Sequence, residues 1–126
     1  MEIRGHKSLE RVNFSDNKVF RTEIDEKNKS VTFYISGGCR LAANTRICFE
    51  DGELHITGYR SFSATSYNAK NDQEVTLSID KLENLGEICE IDVYNEKLVI
   101  KGFALASGNW LEFNIEGGIV KGSFKD

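Results

Sequence analysis

The stretch "ICFEDGELHI", Ile47 to Ile56, sets Asp51-Gly52 between two short runs that alternate apolar and polar residues. Period-two alternation sends one face of an extended chain inward. An Asp-Gly pair tolerates the positive φ angles of a type I′ turn. The stretch therefore reads as a β-hairpin that reverses at Asp51-Gly52, with Phe49, Leu54 and Ile56 facing a core.

The same pattern extends in both directions. Upstream, Val31, Phe33 and Ile35 alternate in "SVTFYIS", and Gly37-Gly38 reads as the next turn. Downstream comes "GYRSFSAT", then the polar, aperiodic segment Ser66 to Gln73, which reads as an exposed loop. Val75, Leu77 and Ile79 alternate again, and Cys89, Ile91 and Val93 share the inward face of "EICEIDVY", with Ile88, Glu90 and Asp92 outward. "NEK" turns the chain into "LVIKGFA", and Gly117-Gly118 reads as the turn between "WLEFNIE" and "IVKGSF". About nine or ten short strands result, too many for one open twisted sheet in 126 residues. The expected fold is all-β and antiparallel, either a two-sheet sandwich or a flattened barrel.

One segment departs from this pattern. "DKLENLG", Asp80 to Gly86, reads as a short helical turn. Asp80 is placed to cap it, Glu83 stands three residues on, Leu82 and Leu85 share a face, and Gly86 terminates it. Length and composition predict a single domain over residues 1–126, with residues 1–8 as a flexible terminus. The polar start "MEIRGHKSLE" resembles no secretory leader, although a leader already removed would leave no trace. No run of about 18 apolar residues predicts a membrane span. The three cysteines, Cys39, Cys48 and Cys89, are odd in number and unclustered. They read as reduced thiols of a cytoplasmic chain, with a Cys39–Cys48 bridge across neighbouring strands as the alternative. Neither they nor His6 and His55 show metal-ligand spacing, so no metal or cofactor is expected.

Charge is unevenly distributed. The chain carries −4 in total, yet Asp80 to Glu96 holds six acids against Lys81 alone. This segment predicts an acidic ridge of Glu83, Glu87, Glu90 and Asp92, with Tyr94 as an aromatic anchor. Such a ridge speeds association with a basic partner and repels phosphate backbones. "NKVFRTEIDEKNKSVTFY" interleaves aromatics with cations, but Asp16, Glu23, Asp25 and Glu26 cancel the charge, so nucleic acid is not an expected partner.

A second candidate lies in "ASGNWLEFNIEGG", Ala106 to Gly118. Trp110, Glu112, Asn114 and Glu116 share one face, opposite Leu111, Phe113 and Ile115. An aromatic beside carboxylate and amide groups suits a sugar or another small ligand. Glu112 and Glu116 stand about 13 Å apart along a strand, beyond the ~5–9.5 Å that glycoside hydrolysis needs. Tyr59 and His55, read on the outer face of "ELHITGY", extend the candidate ligand site. No nucleophile elbow, P-loop or zinc-protease motif appears.

The sequence thus predicts a non-enzymatic protein-binding module, an acidic inhibitor or immunity-type protein that neutralises a basic enzyme or toxin. The alternative is a carbohydrate- or small-ligand-binding β-sandwich built on the Trp110 strip. Proline-free strand edges add self-association as a homodimer to the expectations.

Overall fold

A computed structural model describes all residues, Met1 to Asp126. In chain order the elements are β1 (Glu2–Arg4), α1 (His6–Leu9), β2 (Val12–Asn13), β3 (Asn17–Asp25), β4 (Ser30–Ala42) and β5 (Thr45–Asn68). After β6 (Gln73–Leu77) comes a 3-10 turn at Ile79–Lys81, followed by β7 (Leu85–Tyr94), β8 (Lys97–Ala104) and β9 (Trp110–Phe124). All nine strands belong to one antiparallel sheet, so the all-β expectation holds.

The sheet closes on itself. Hydrogen-bonded neighbours run β9–β8–β7–β3–β4–β5 and return from β5 to β9. Of the two predicted architectures, the circuit is that of the flattened barrel. Its narrowest seam is β3–β7, where only Asn17↔Ile88 and Lys18↔Glu87 pair. β1 prolongs the sheet beyond β8 by pairing with the end of β9, β2 pairs with β4, and β6 lies along the end of β5.

Strand lengths differ from the expectation for a simple reason. β5 has 24 residues. Straight, it would span roughly 80 Å, about twice the diameter of a globule this size, so it must bend. Gly58 (φ 71) lies at the bend, next to a register shift between Tyr59 and Ser61, and Gly117 and Gly118 (φ 75 and 86) face it from β9. One strand thereby serves two sides of the barrel.

Three dipeptides read as turns, Gly37-Gly38, Asp51-Gly52 and Gly117-Gly118, lie inside strands. Gly52 pairs with Ile35 and with Phe124, and a Cβ there would run into the Ser123 carbonyl. The Asp51-Gly52 glycine is thus needed where β9 crosses close to β5. Gly37-Gly38 lies within β4, where Gly38 leaves room for the Phe14 and Phe49 rings. Gly117-Gly118 belongs to the β5–β9 bend. The real reversal between β4 and β5 is Ala43-Asn44, with φ 46 and 69, the positive pair that a type I′ turn requires. Asn95-Glu96 joins β7 to β8 where the "NEK" turn is expected.

The segment from Asp80 to Gly86 also differs. Only Ile79–Lys81 is helical, Ser78 precedes it without a side-chain cap bond, and Leu85 and Gly86 already belong to β7. Leu85 is buried in the core, which extended backbone achieves as well as a helical turn would. Residues 1–8, read as a flexible end, include β1 and most of α1; Ile3 is buried against Gly122, and the Met1 amine donates to the Phe124 carbonyl. Part of the Ser66–Gln73 loop is strand, since Ser66, Tyr67 and Asn68 pair with β6.

The barrel interior is filled by one cluster of 22 buried residues. Phe14, Phe49 and Phe124 pack together towards one end, and Phe33, Phe113, Phe62 and Tyr59 form a chain of ring contacts through the rest. A packed interior leaves the outer faces to do any binding. Cys39 and Cys48, opposite each other in the β4–β5 ladder, are joined by a disulfide, and Cys89 is free. The reduced pair expected from spacing is therefore replaced by the cross-strand bridge. No helix is long and apolar enough to cross a membrane.

Candidate interaction face

The two candidate regions of the sequence, the acidic segment and the Trp110 strip, meet on one surface. β8 lies between β7 and β9 and joins them in cross-strand rows. Glu87 pairs with Phe103, which pairs with Trp110, which pairs with Tyr67. The next row runs Glu90–Lys101–Glu112–Thr65, the next Asp92–Val99–Asn114–Ser63, and the last Tyr94–Lys97–Glu116–Ser61. Facing residues in such rows lie about 5 Å apart, so the rows form a continuous patch.

The alternation of each strand turns these residues outward. In β8, Leu98, Ile100, Gly102 and Ala104 are buried, leaving Lys97, Lys101 and Phe103 outside, while Val99 shares their strand phase but is itself covered. In β9, Leu111, Phe113 and Ile115 enter the core, as the sequence predicts. In β7 the register shifts between Ile88 and Glu90. That bulge puts Ile88 inward, against expectation, and leaves Cys89 half-buried. Beyond it Ile91 and Val93 pack on the core while Glu90, Asp92 and Tyr94 face out.

Polar groups on this face are tied to one another. Lys101 Nζ lies 3.0 Å from an Asp92 oxygen and 3.2 Å from a Glu90 oxygen. Hydrogen bonds to Asp92 and then Glu90 hold its amine well above the ordinary lysine range. Trp110 Nε1 donates to Glu112 Oε1 at 3.2 Å, and the indole meets the Phe103 ring edge-on, at 5.3 Å and 80°. The Tyr67 hydroxyl donates to Asp72 at 2.6 Å, which raises its phenol above the usual value, with burial adding to the shift. Glu83 sits at the rim, accepting hydrogen bonds from Ser107 (2.6 Å) and Ser66 (3.2 Å).

Of the residues singled out from the sequence, Glu87, Glu90, Asp92, Tyr94, Trp110, Glu112 and Asn114 thus share the patch, with Glu83 beside it. Tyr59 does not. The Gly58 bend changes the phase of β5, and Tyr59 is buried with its hydroxyl unpaired; burial raises its pKa, helped by Glu26 and Asp25. His55 lies elsewhere, on the β4–β5–β9 side, facing Thr32 and Lys121. Phe103, Lys101 and Tyr67 were not singled out. Phe103 was legible from "LVIKGFA", where it keeps the phase of Lys97, Val99 and Lys101 and is the aromatic on the polar face.

His55 has its own small array. Its Nδ1 is 2.8 Å from Thr32 Oγ1 and its Nε2 is 2.8 Å from Glu53 Oε2. A hydroxyl, an imidazole and a carboxylate in line are the parts of an activated nucleophile. Acyl transfer also needs free donors for the developing oxyanion. Thr32 sits mid-strand, paired with Glu23 on one side and His55 on the other, so its neighbouring backbone amides belong to the ladder. The Cys89 thiol is no better placed. Burial, and then Glu87, Asp16 and Glu90, push its pKa up, which disfavours the nucleophilic thiolate.

Comparison with known proteins yields no matching family model, no matching curated protein and no matching solved structure.

Proposed function

We propose that this protein is a non-enzymatic protein-binding module whose β7–β8–β9 face neutralises a basic partner, in the manner of an inhibitor or immunity protein. The observation that carries the reading is the merger of acidic ridge and aromatic strip into one patch. Its four rows hold five carboxylates, Glu87, Glu90, Asp92, Glu112 and Glu116, against Lys97 and Lys101. Among them stand Tyr94, 58% exposed, and Phe103, 43% exposed. Exposed aromatics ringed by like charge suit an interface in which rings anchor and acids steer.

Size extends the footprint. Four strands by six residues cover on the order of 400 Å². A stable complex buries about 800 Å² per partner. The contact therefore takes in Glu83 and Ser107 on one side and the Asn95-Glu96 turn on the other. Sugar binding is the weaker reading, because the Trp110 N–H and Glu112 are committed to each other and Phe103 packs edge-on against the indole. The Cys39–Cys48 bridge supports action in an oxidising compartment rather than the cytoplasm.

The test uses wild-type protein and the double variant Glu87→Lys/Glu112→Lys as paired baits, followed by stopped-flow association with each partner retained. The variant is expected to lose about tenfold or more in on-rate and most of its salt dependence. Equal on-rates for bait and variant, or saturable quenching of Trp110 by simple sugars without any protein partner, would overturn the reading.

A further inference from the structure

The opposite charge gathers at a different place. Between α1, β2 and the end of the β4–β5 hairpin lies an open concavity of about 1130 Å³. Lys7, Arg11, Arg40 and Arg46 line it, with Glu10 as the only carboxylate among its lining residues. None of the four cations takes part in an ion pair, although the chain as a whole is acidic and Arg4, Arg21, Arg60, Lys101 and Lys125 are paired. Arg40 Nε is in addition buried with no hydrogen-bond acceptor. Buried guanidinium donors are ordinarily satisfied, so an unmet one marks a place for an acceptor.

We propose that this concavity is a binding site for a compact oligoanion, a ligand carrying two or more phosphoryl groups. Three of its four cations are arginines, whose planar forks match phosphate oxygens in pairs. The concavity is lined by Val12, Leu41, Ala42 and Ala43 and by no aromatic ring. A nucleic-acid strand would find phosphate contacts there but nothing on which to stack its bases. The charges surround one hollow and do not form a track, which suits a short, highly charged ligand. The Cys39–Cys48 bridge ties the two strands that carry Arg40 and Arg46, holding the hairpin side of the site together.

Calorimetric titration of the oxidised chain with sodium tripolyphosphate, at constant ionic strength, tests this site, with amide chemical shifts reporting where the ligand sits. Saturable one-site binding is expected, with shifts concentrated in residues 7–13 and 39–46. Arg40→Gln and Arg46→Gln should each weaken it about tenfold, since each removes a charge-assisted pair. Arg46 is exposed, so its variant tests the site without disturbing packing. Arg60→Gln, whose guanidinium pairs with Glu96 away from the concavity, should bind as wild type. No saturation up to about 10 mM, corresponding to less than about 3 kcal/mol of binding, would overturn the proposal. So would equal loss in Arg60→Gln, or tighter binding of a single-stranded oligonucleotide than of tripolyphosphate.

Discussion

The β7–β8–β9 face and the concavity beside α1 gather charges of opposite sign and treat their cations in opposite ways. On the acidic face the central cation is consumed, because Lys101 bridges Asp92 and Glu90. In the concavity Lys7, Arg11, Arg40 and Arg46 form no ion pair, although Glu10 lines the same hollow. The acidic face owes its coherence to backbone register, since one residue from each of four strands contributes to every row. The basic site has no such frame and depends on a hairpin end held by a disulfide. A net charge of −4 describes neither region. Pairing inside the molecule decides which charges remain available to a partner.

Removing the bridge should separate the two regions most sharply. Cys39→Ser/Cys48→Ser opens a loop of sequence separation 9. Chain entropy sets the loss at about 2.5 kcal/mol for a loop of this length. Urea unfolding should show that loss, and tripolyphosphate binding should weaken. Association through the acidic face should stay as in wild type. An equal loss at both sites would mean that the regions are not independent.

A smaller effect is expected at the centre of the acidic face. Lys101→Gln frees Asp92 and Glu90 and makes the patch more negative. A basic partner should then associate a few-fold faster at low salt, with the gain vanishing as ionic strength rises. A slower on-rate would show that Lys101 itself contacts the partner.

The smallest effect is a titration. The folded Lys101 amine holds its proton above the ordinary lysine value, so its contribution to stability is complete below about 10.5 and is lost only as pH rises beyond that. Asp92→Asn should lower the Lys101 pKa more than Glu90→Gln, because the Asp92 hydrogen bond is the larger cause. NMR titration of the lysine side chain reads the order directly.

Legibility in the sequence varied from element to element for physical reasons. Side-chain alternation is local, so the inward set Leu111, Phe113 and Ile115 and the outward set Trp110, Glu112 and Asn114 were readable in "WLEFNIE". Glycine was not readable as a turn signal, because close approach of another strand demands it as strongly as positive φ does. Gly52 lies under Ser123 and Phe124, partners about seventy residues away in the chain. The true turn, Ala43-Asn44, lacks glycine and was passed over. The bulge after Ile88 and the bend at Gly58 each change strand phase, which is why unbroken alternation puts Ile88 and Tyr59 on the wrong face.

The sequence by itself determined that the chain is all-β, which residues of its regular strands face inward, and that its acids concentrate between Asp80 and Glu96. These follow from period two and from composition, which need no knowledge of distant neighbours. Only the tertiary structure decided that the sheet closes into a barrel, that Cys39 meets Cys48, and that the acidic ridge and the Trp110 strip lie on either side of β8. Each of these depends on strand order and register, and those are set by which faces can be buried together across the whole chain.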